Sequence, residues 1–150
     1  MSNTHLKTQI YINAPVKKVW QVLTDFDNCE WNPLFSKIER NPSRPDKIKL
    51  SFRSKLDDLG VPSPSLEVDL TAFEEEYRFA WGSPLSEKFK SLIDAEHYFE
   101  LYEIDENTTK LVHGEEFSGI VPKVLWKLIE KVEPAYLDLN RKLKTEVEAA

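Results

Sequence analysis

Apolar and polar residues alternate along much of the chain, and this two-residue period is typical of half-buried β-strands. The first strand carries Leu6, Thr8, Ile10 and Ile12 on one face. Three later segments repeat the pattern, with apolar residues at Ile48, Leu50 and Phe52, at Leu66, Val68, Leu70 and Ala72, and at Tyr77, Phe79 and Trp81. Each segment is therefore predicted to bury one face.

Two longer strands follow, and their apolar faces predict how they pair. The faces are Ala95, His97, Phe99 and Leu101 on one strand, and Leu111, His113, Glu115 and Phe117 on the other. Directly opposed residues share a face of an antiparallel pair. A three-residue loop at 105–107 satisfies this condition, whereas a two-residue loop would turn one apolar set outward. The expected pairs are Ile104 with Thr108, Leu101 with Leu111, Phe99 with His113, and His97 with Glu115.

Two segments carry apolar residues at spacings of three and four, which predicts amphipathic helices. The first begins at Asn13-Ala14-Pro15, since proline is tolerated in the first turn of a helix. Its stripe is Val16, Val19, Trp20 and Leu23. The second runs from Pro122 to about Val147, with Leu125, Leu128, Val132, Tyr136, Leu139 and Leu143 on its stripe. Pro134 interrupts this helix, but the stripe continues in phase, so a kink is expected rather than a stop.

This order of elements predicts an α+β fold in one domain, residues 1–150. A curved antiparallel sheet of about six to seven strands is expected to wrap around the long C-terminal helix, with two short helices after the first strand. An antiparallel sheet curls by its own twist. A cavity remains wherever sheet and helix do not fully close on each other.

Composition and charge exclude several classes of function. The chain is 41% hydrophobic and 31% charged, with a net charge of −6 and no basic block, which argues against nucleic-acid binding and against a polybasic membrane anchor. No secretion signal or transmembrane run is evident. Cys29 is the only cysteine, which fits a cytoplasmic protein. With only 4 glycines and no phosphate-binding loop, neither a nucleotide nor another cofactor is expected.

The connector DNCEWNPLF, residues 27–35, carries large apolar residues where a surface loop needs none. Pro33 pushes Asn32 out of the helical region, so the connector holds at most short helical turns. Trp31 and Phe35 either plug the open end of the core or form the rim of a cavity. Asn32 either contacts a ligand or caps the following turn.

Several motifs together resemble a known family: the run from Ile12 to Pro33 with its Val19-Trp20 and Trp31-Asn32-Pro33, the pair Trp81-Gly82, the strand residues around His97, and HGEEFSG at 113–119. The chain is similar to the polyketide cyclase/dehydrase and lipid-transport branch of the START-related, birch-pollen-allergen-like (SRPBCC) superfamily. The resemblance implies a helix-grip fold around a deep apolar pocket, whose entrance would lie at Trp31, Asn32 and Phe35. Fold likeness does not fix function.

Large rings on the predicted sheet faces and the long helix are candidates for the pocket wall, although each could equally be ordinary core packing. They are Phe52, Phe79, Trp81, Phe99, Trp126 and Tyr136.

Three polar residues, His97, His113 and Glu115, lie on otherwise apolar faces, where an unpaired charge is costly. His97 opposite Glu115 would supply a pair, with Glu115 holding His97 in a charged or oriented form. The three residues are open to four interpretations: a structural pair, ligand-orienting groups, general acid-base catalysts, or, most weakly supported, metal ligands.

Three functions follow as hypotheses. The first is binding or carriage of a hydrophobic or amphipathic small molecule, gated by the connector and the loop Arg53–Ser65. The second is a cyclase or dehydratase that uses His97 and Glu115. The third is a module that binds a protein partner, for which Leu56, Leu59 and Val61 form the candidate patch.

Overall fold

A computed structural model describes residues 4–53, 64–82 and 92–149, which form seven strands and four α-helices. The strands are β1 (His5–Ile12), β2 (Phe35–Asn41), β3 (Arg44–Phe52), β4 (Ser65–Glu74), β5 (Arg78–Gly82), β6 (Asp94–Asp105) and β7 (Thr108–Ser118). The helices are α1 (Val16–Leu23), α2 (Ile120–Val124), α3 (Trp126–Ile129) and α4 (Glu133–Ala149), with a 3-10 turn at Glu130–Val132.

The strands form one antiparallel sheet in the order β1-β7-β6-β5-β4-β3-β2. Helix α4 packs against β1 and α1, and Leu139, Leu143 and Val147 are fully buried there. This arrangement confirms the α+β helix-grip prediction. Only one helix, α1, lies between β1 and β2. The second short helix expected there is a series of turns, because Pro33 prevents helix across the connector.

The pairing of β6 with β7 confirms the predicted register over its central part. Leu101 pairs with Leu111, Phe99 with His113, and His97 with Glu115. The predicted loop was wrong at the tip, where Asp105, and not Ile104, pairs with Thr108. A bulge between Glu103 and Asp105 absorbs one residue, so a shorter turn gives the same alignment of the two faces.

A bulge between Leu70 and Ala72 also divides the predicted apolar face of β4. Val68 stays on the core side, but Ala72 pairs with Ala80 and packs in a small cluster on the other side of the sheet. Placing Ala72 on the face of Val68 was therefore wrong. Phe73 faces the core side instead, partly exposed at its edge, with its ring 5.8 Å from that of Phe79.

Tyr77 was also misplaced by strict alternation. It lies in the turn before β5, is partly exposed, and its ring is 6.0 Å from that of Tyr102. It therefore does not share the buried face of Phe79 and Trp81.

The C-terminal helical segment is divided where the sequence predicted one helix. It breaks at Leu125, with φ −101° and ψ 18°, and then continues from Trp126 through a 3-10 turn into α4. The helix does run past Pro134, as predicted. The 3-10 turn lies just before it, where the proline ring would clash with the carbonyl four residues earlier. The first half of the predicted stripe, at Leu125, Leu128 and Val132, is exposed.

Candidate functional site

A cavity of about 530 Å³ lies between the sheet, the connector and the start of α4. Most of its wall is apolar. The apolar lining residues include Leu34, Phe35, Leu50, Phe52, Leu66, Val68, Trp81, Ile93, Ala95, Phe117, Val132 and Ala135. Side chains that face the same side of six different strands supply most of them, because alternate residues of a strand share a face.

Polar groups line the cavity at two places. His97, Glu115 and Tyr136 form one cluster, called here the polar wall, and Arg53 lies apart from them at the end of β3. The pairing of β6 with β7 sets His97 opposite Glu115, and Tyr136 reaches them from α4. Trp81, which pairs with His97 across β5 and β6, stacks on its imidazole at 4.4 Å with the ring planes 7° apart.

Glu115 accepts a hydrogen bond from the Tyr136 hydroxyl, and its Oε1 atom lies 3.6 Å from Nδ1 of His97. Burial alone would raise the pKa of Glu115, but the hydrogen bond and charge of His97, with the Tyr136 bond, lower it overall. Burial and the nearby carboxylate raise the pKa of Tyr136 well above its ordinary value. At neutral pH Glu115 is therefore a carboxylate and Tyr136 a hydroxyl donor.

Behind the polar wall, a buried chain of hydrogen bonds reaches β1. His97 Nε2 lies 2.7 Å from His113 Nε2, and His113 Nδ1 lies 2.8 Å from Asn140 Oδ1. Asn140 Nδ2 donates to Thr8 Oγ1, and the Thr8 hydroxyl donates to the backbone carbonyl of His113. All four residues of this chain are buried.

The backbone carbonyl of His113 is the last acceptor in this series of hydrogen bonds, and it fixes which atom donates in each of them. A carbonyl can only accept, so Thr8 must accept from the Asn140 amide, which turns Asn140 Oδ1 toward His113. His113 therefore carries its proton on Nδ1. Burial and the charge of His97 lower the pKa of His113 well below its ordinary value, so His113 is neutral and its Nε2 accepts from His97.

His97 therefore donates its Nε2 proton to His113, and its Nδ1 atom faces the carboxylate of Glu115. This facing pair, Nδ1 of His97 and the Glu115 carboxylate, lies on the cavity wall.

Six of the twelve predicted site residues line the cavity: Phe35, Phe52, Trp81, His97, Glu115 and Tyr136. Phe79, Phe99 and His113 lie on the same sheet face, but they are fully buried in the core and do not line it.

The other three predicted site residues, Trp31, Asn32 and Trp126, do not line the cavity. Asn32 Oδ1 accepts from the backbone N–H groups of Leu34 and Phe35 at 2.9 and 3.0 Å, which is the turn-capping alternative. Trp31 packs against the edge of the core, and the ring of Trp126 lies 6.1 Å from that of Phe117.

Arg53 is a lining residue that the sequence analysis used only to mark the end of a loop. Its Nε donates to the carbonyl of Asn32 at 2.5 Å, and its Nη2 to the carbonyl of Cys29 at 2.8 Å, so it ties the connector to β3. No periodic pattern indicates such a contact, because it joins the end of a strand to a loop. Most of the predicted gate at Arg53–Ser65, and the patch of Leu56, Leu59 and Val61, lie outside the described residues.

The described residues contain no group of three or more His, Cys, Asp or Glu side chains that could hold a metal ion. Nε2 of His97 and Nε2 of His113 are hydrogen-bonded to each other, so these two atoms do not converge on a shared ion. Cys29 is buried and has its pKa raised by that burial. In the part of the chain that the structure describes, no helix is long and apolar enough to cross a membrane.

Solved structures of similar fold span almost the whole chain. The Zhui aromatase/cyclase of a Streptomyces species is 16% identical, covers 96% of this chain and 93% of its own, and has a TM-score of 0.66. A START superfamily protein from Mycobacterium smegmatis is 15% identical, with 97% of each chain covered and a TM-score of 0.65. A conserved protein from Geobacillus kaustophilus is 17% identical, covers 97% and 95%, and also scores 0.65. At these identities the likeness shows the fold alone.

No curated protein matches the sequence. A family model described as "Polyketide cyclase / dehydrase and lipid transport" matches residues 3–148. The match includes every strand, the connector and the helix that carries Tyr136 and Asn140. The chain therefore belongs to the polyketide cyclase/dehydrase and lipid-transport family.

Proposed function

We propose that this protein binds a hydrophobic or amphipathic small molecule in the cavity between its sheet and its C-terminal helix. The observation that carries the proposal is an apolar cavity of about 530 Å³ with one polar wall, at His97, Glu115 and Tyr136. Small-molecule sites commonly have roughly 300–1,000 Å³ of volume, mostly apolar walls and a few converging polar groups.

The apolar wall supplies the affinity in this proposal. A ligand that buries roughly 300 Å² of apolar surface gains about 7 kcal/mol from desolvation, before the costs of association are subtracted. The aromatic members of the wall are already packed: Phe35 lies 5.3 Å from Phe52 and 5.5 Å from Trp81, measured between ring centroids. Such packing holds the rings in place before a ligand arrives, which reduces the entropy lost on binding.

The polar wall supplies the selectivity. Glu115 accepts from Tyr136 and faces His97 through Oε1, which leaves its second carboxylate oxygen to accept from a ligand. A hydroxyl or phenol meets this requirement, whereas a ligand carboxylate placed there would be repelled. The proposal therefore favours ligands with a hydroxyl at the buried end.

The test is a binding series with fatty acids, sterols and hydroxylated aromatic polyketides, followed by calorimetry and by quenching of tryptophan fluorescence. Ala135 lines the cavity, and Ala149 lies exposed at the end of the same helix. Ala135→Phe should fill the cavity and weaken binding at least about tenfold, while Ala149→Phe should leave it unchanged. Equal affinity in both variants, or no saturable binding across the series, would refute the proposal.

A second candidate is an enzyme of the cyclase or dehydratase kind. It is favoured by the His97–Glu115 pair on the cavity wall, because imidazole and carboxylate groups both serve as general acids and bases. Its test is turnover of a polyketide-like substrate against pH. The combined variant His97→Ala, His113→Ala and Glu115→Gln should abolish turnover, and retained turnover would eliminate this mechanism.

A further inference from the structure

The segment from α2 to the start of α4 exposes an unusual amount of apolar surface. Ile120, Val124 and Leu128 are 62%, 75% and 60% exposed, and Leu125 and Val132 are exposed as well. These five residues lie within thirteen positions of one another. Exposed Leu92 lies next to them, because its backbone carbonyl accepts a hydrogen bond from the backbone N–H of Val121. Single exposed apolar residues are common on proteins, but a contiguous patch marks an interaction surface.

The same segment carries a row of cations. Lys123, Lys127 and Lys131 are exposed and lie four positions apart, and none of them forms an ion pair with the described residues. Glu130 is the only acidic residue from 120 to 132, so the segment has a charge of +2 in a chain of net charge −6. Apolar side chains beside lysines are typical of helices that lie in a membrane interface.

One helical row leads from this patch into the cavity. Leu128, Val132 and Tyr136 are four positions apart, and their exposed fractions fall from 60% to 41% to 6%. Val132 belongs both to the exposed patch and to the cavity lining, and Tyr136 forms part of the polar wall. Val132 therefore joins the exposed patch to the wall of the proposed binding cavity.

We propose that α2, α3 and the turn that follows them dock reversibly on an anionic lipid bilayer. The apolar side chains enter the interface, and the three lysines bind the anionic headgroups. The docking extends the proposed function, because a ligand of low solubility would then pass between bilayer and cavity along an apolar path. Docking itself needs no ligand in the cavity, so the two proposals can fail separately.

The experiment is co-sedimentation of the whole protein with vesicles of phosphatidylcholine alone and with about one third phosphatidylglycerol, at low and high salt. Partition should be measurable on the anionic vesicles and fall with salt. Lys123→Gln with Lys127→Gln should weaken it about 30-fold, since each lysine near the surface contributes about a fivefold change. Lys7→Gln with Lys17→Gln is the control, because both residues are exposed and net charge changes equally, from −6 to −8.

A second pair of variants tests the apolar part. Leu128→Ser should weaken partition about tenfold, while Ile104→Ser, at a site 53% exposed on the far end of β6, should not change it. Absence of partition on anionic vesicles, equal loss in the control variants, or equal binding to neutral vesicles would overturn the proposal. Self-association that Leu128→Ser abolishes, with no partition, would show that a second copy of the chain covers the patch and would also overturn it.

Discussion

The neutral, buried imidazole of His113 should make the protein lose stability in mild acid. His113 is fully buried, and its pKa lies well below the ordinary value of 6.5 because of that burial and the charge of His97. When the chain unfolds, His113 meets water and takes up a proton near pH 6.5. Below that pH the unfolded state binds more protons than the folded state, so stability falls as the pH falls.

The size of the loss follows from the uptake of one proton. Between about pH 7 and about pH 5.5, protonation of one unfolded histidine lowers the free energy of unfolding by about 1.2 kcal/mol. For a domain of this size that is a fall in Tm of about 2–5 °C. The pKa of Glu115 is lowered too, but a carboxyl with an ordinary value of 4.5 loses its contribution only in stronger acid. The range above about pH 5.5 therefore separates His113 from Glu115.

The assay is thermal or urea unfolding, followed by circular dichroism across this pH range. His113→Gln removes the titration but keeps an acceptor for His97 and a donor for Asn140, so its Tm should change less with pH than that of the wild type. His5→Gln, at a partly exposed histidine on the outer side of β1, should keep the wild-type dependence. A wild-type Tm that does not change, or an equal fall in His113→Gln, would refute the reasoning.

Two further substitutions test the packing around the polar core. Asn140→Leu should lower the free energy of unfolding by about 2–3 kcal/mol in urea titrations, because it leaves the buried Nδ1–H of His113 without an acceptor and removes the donor to Thr8. Gly114→Ala should cost about 1–3 kcal/mol by thermal unfolding, because its methyl group would clash with the Leu6 carbonyl oxygen and lie 2.7 Å from the Tyr98 hydroxyl.

Each of these substitutions has a matched control in the same chain. Asn28 is exposed, and among the described residues its side-chain amide bonds only to Asp25, so Asn28→Leu should change stability by less than about 0.5 kcal/mol. Gly82 is also a strand glycine, but its added methyl would lie 3.3 Å from a side-chain methyl of Thr71 and 3.9 Å from the Ala95 carbonyl oxygen, so Gly82→Ala should cost less than Gly114→Ala. Equal losses in either matched pair would contradict the explanation given for it.

The sheet and its register were predictable because one two-residue period determines both. The alternation that places His97 and Phe99 on one face also forces them opposite Glu115 and His113. The errors in the predicted register were local. The bulges before Ala72 and Asp105 each insert a residue, and periodicity alone does not show where an insertion lies. Residues beyond a bulge then move to the opposite face.

The division between core and cavity was not predictable from alternation. Phe79 and Trp81 share a face of β5, yet only Trp81 lines the cavity. The ring of Phe79 is 5.4 Å from that of Phe26, which fills this end of the interior together with Trp20 and Phe73. Alternation gives the side of the sheet, but the helix and connector that cover each position decide whether that position is packed or hollow.

The polar chain behind the cavity did leave a signal in the sequence. Asn140 follows Tyr136 by four positions and lies beside Leu139, so it is a polar residue on the buried stripe, just as His97 and His113 are on their strands. His97 and His113 belong to neighbouring opposed pairs, and such diagonal neighbours lie within reach of large side chains. These polar residues lie on the buried faces of the helix and the strands. Considered together, they would have predicted that Asn140 lies close to the two histidines.

A single helical row joins the exposed patch, the cavity and the core, through Leu128, Val132, Tyr136 and Asn140. Its outer end is exposed, its middle contacts Glu115 on the polar wall, and its inner end fixes the proton positions of His113 and hence of His97. Helix α4 is also anchored beyond this row, where Leu143 and Val147 are fully buried. Movement at the outer end of the helix would therefore change the distance from Tyr136 to Glu115 before it disturbs Asn140. If the protein docks and binds a ligand as proposed, docking at the outer end of the helix would be mechanically linked to ligand contact at Tyr136, while the buried chain at the inner end holds His97 in its orientation.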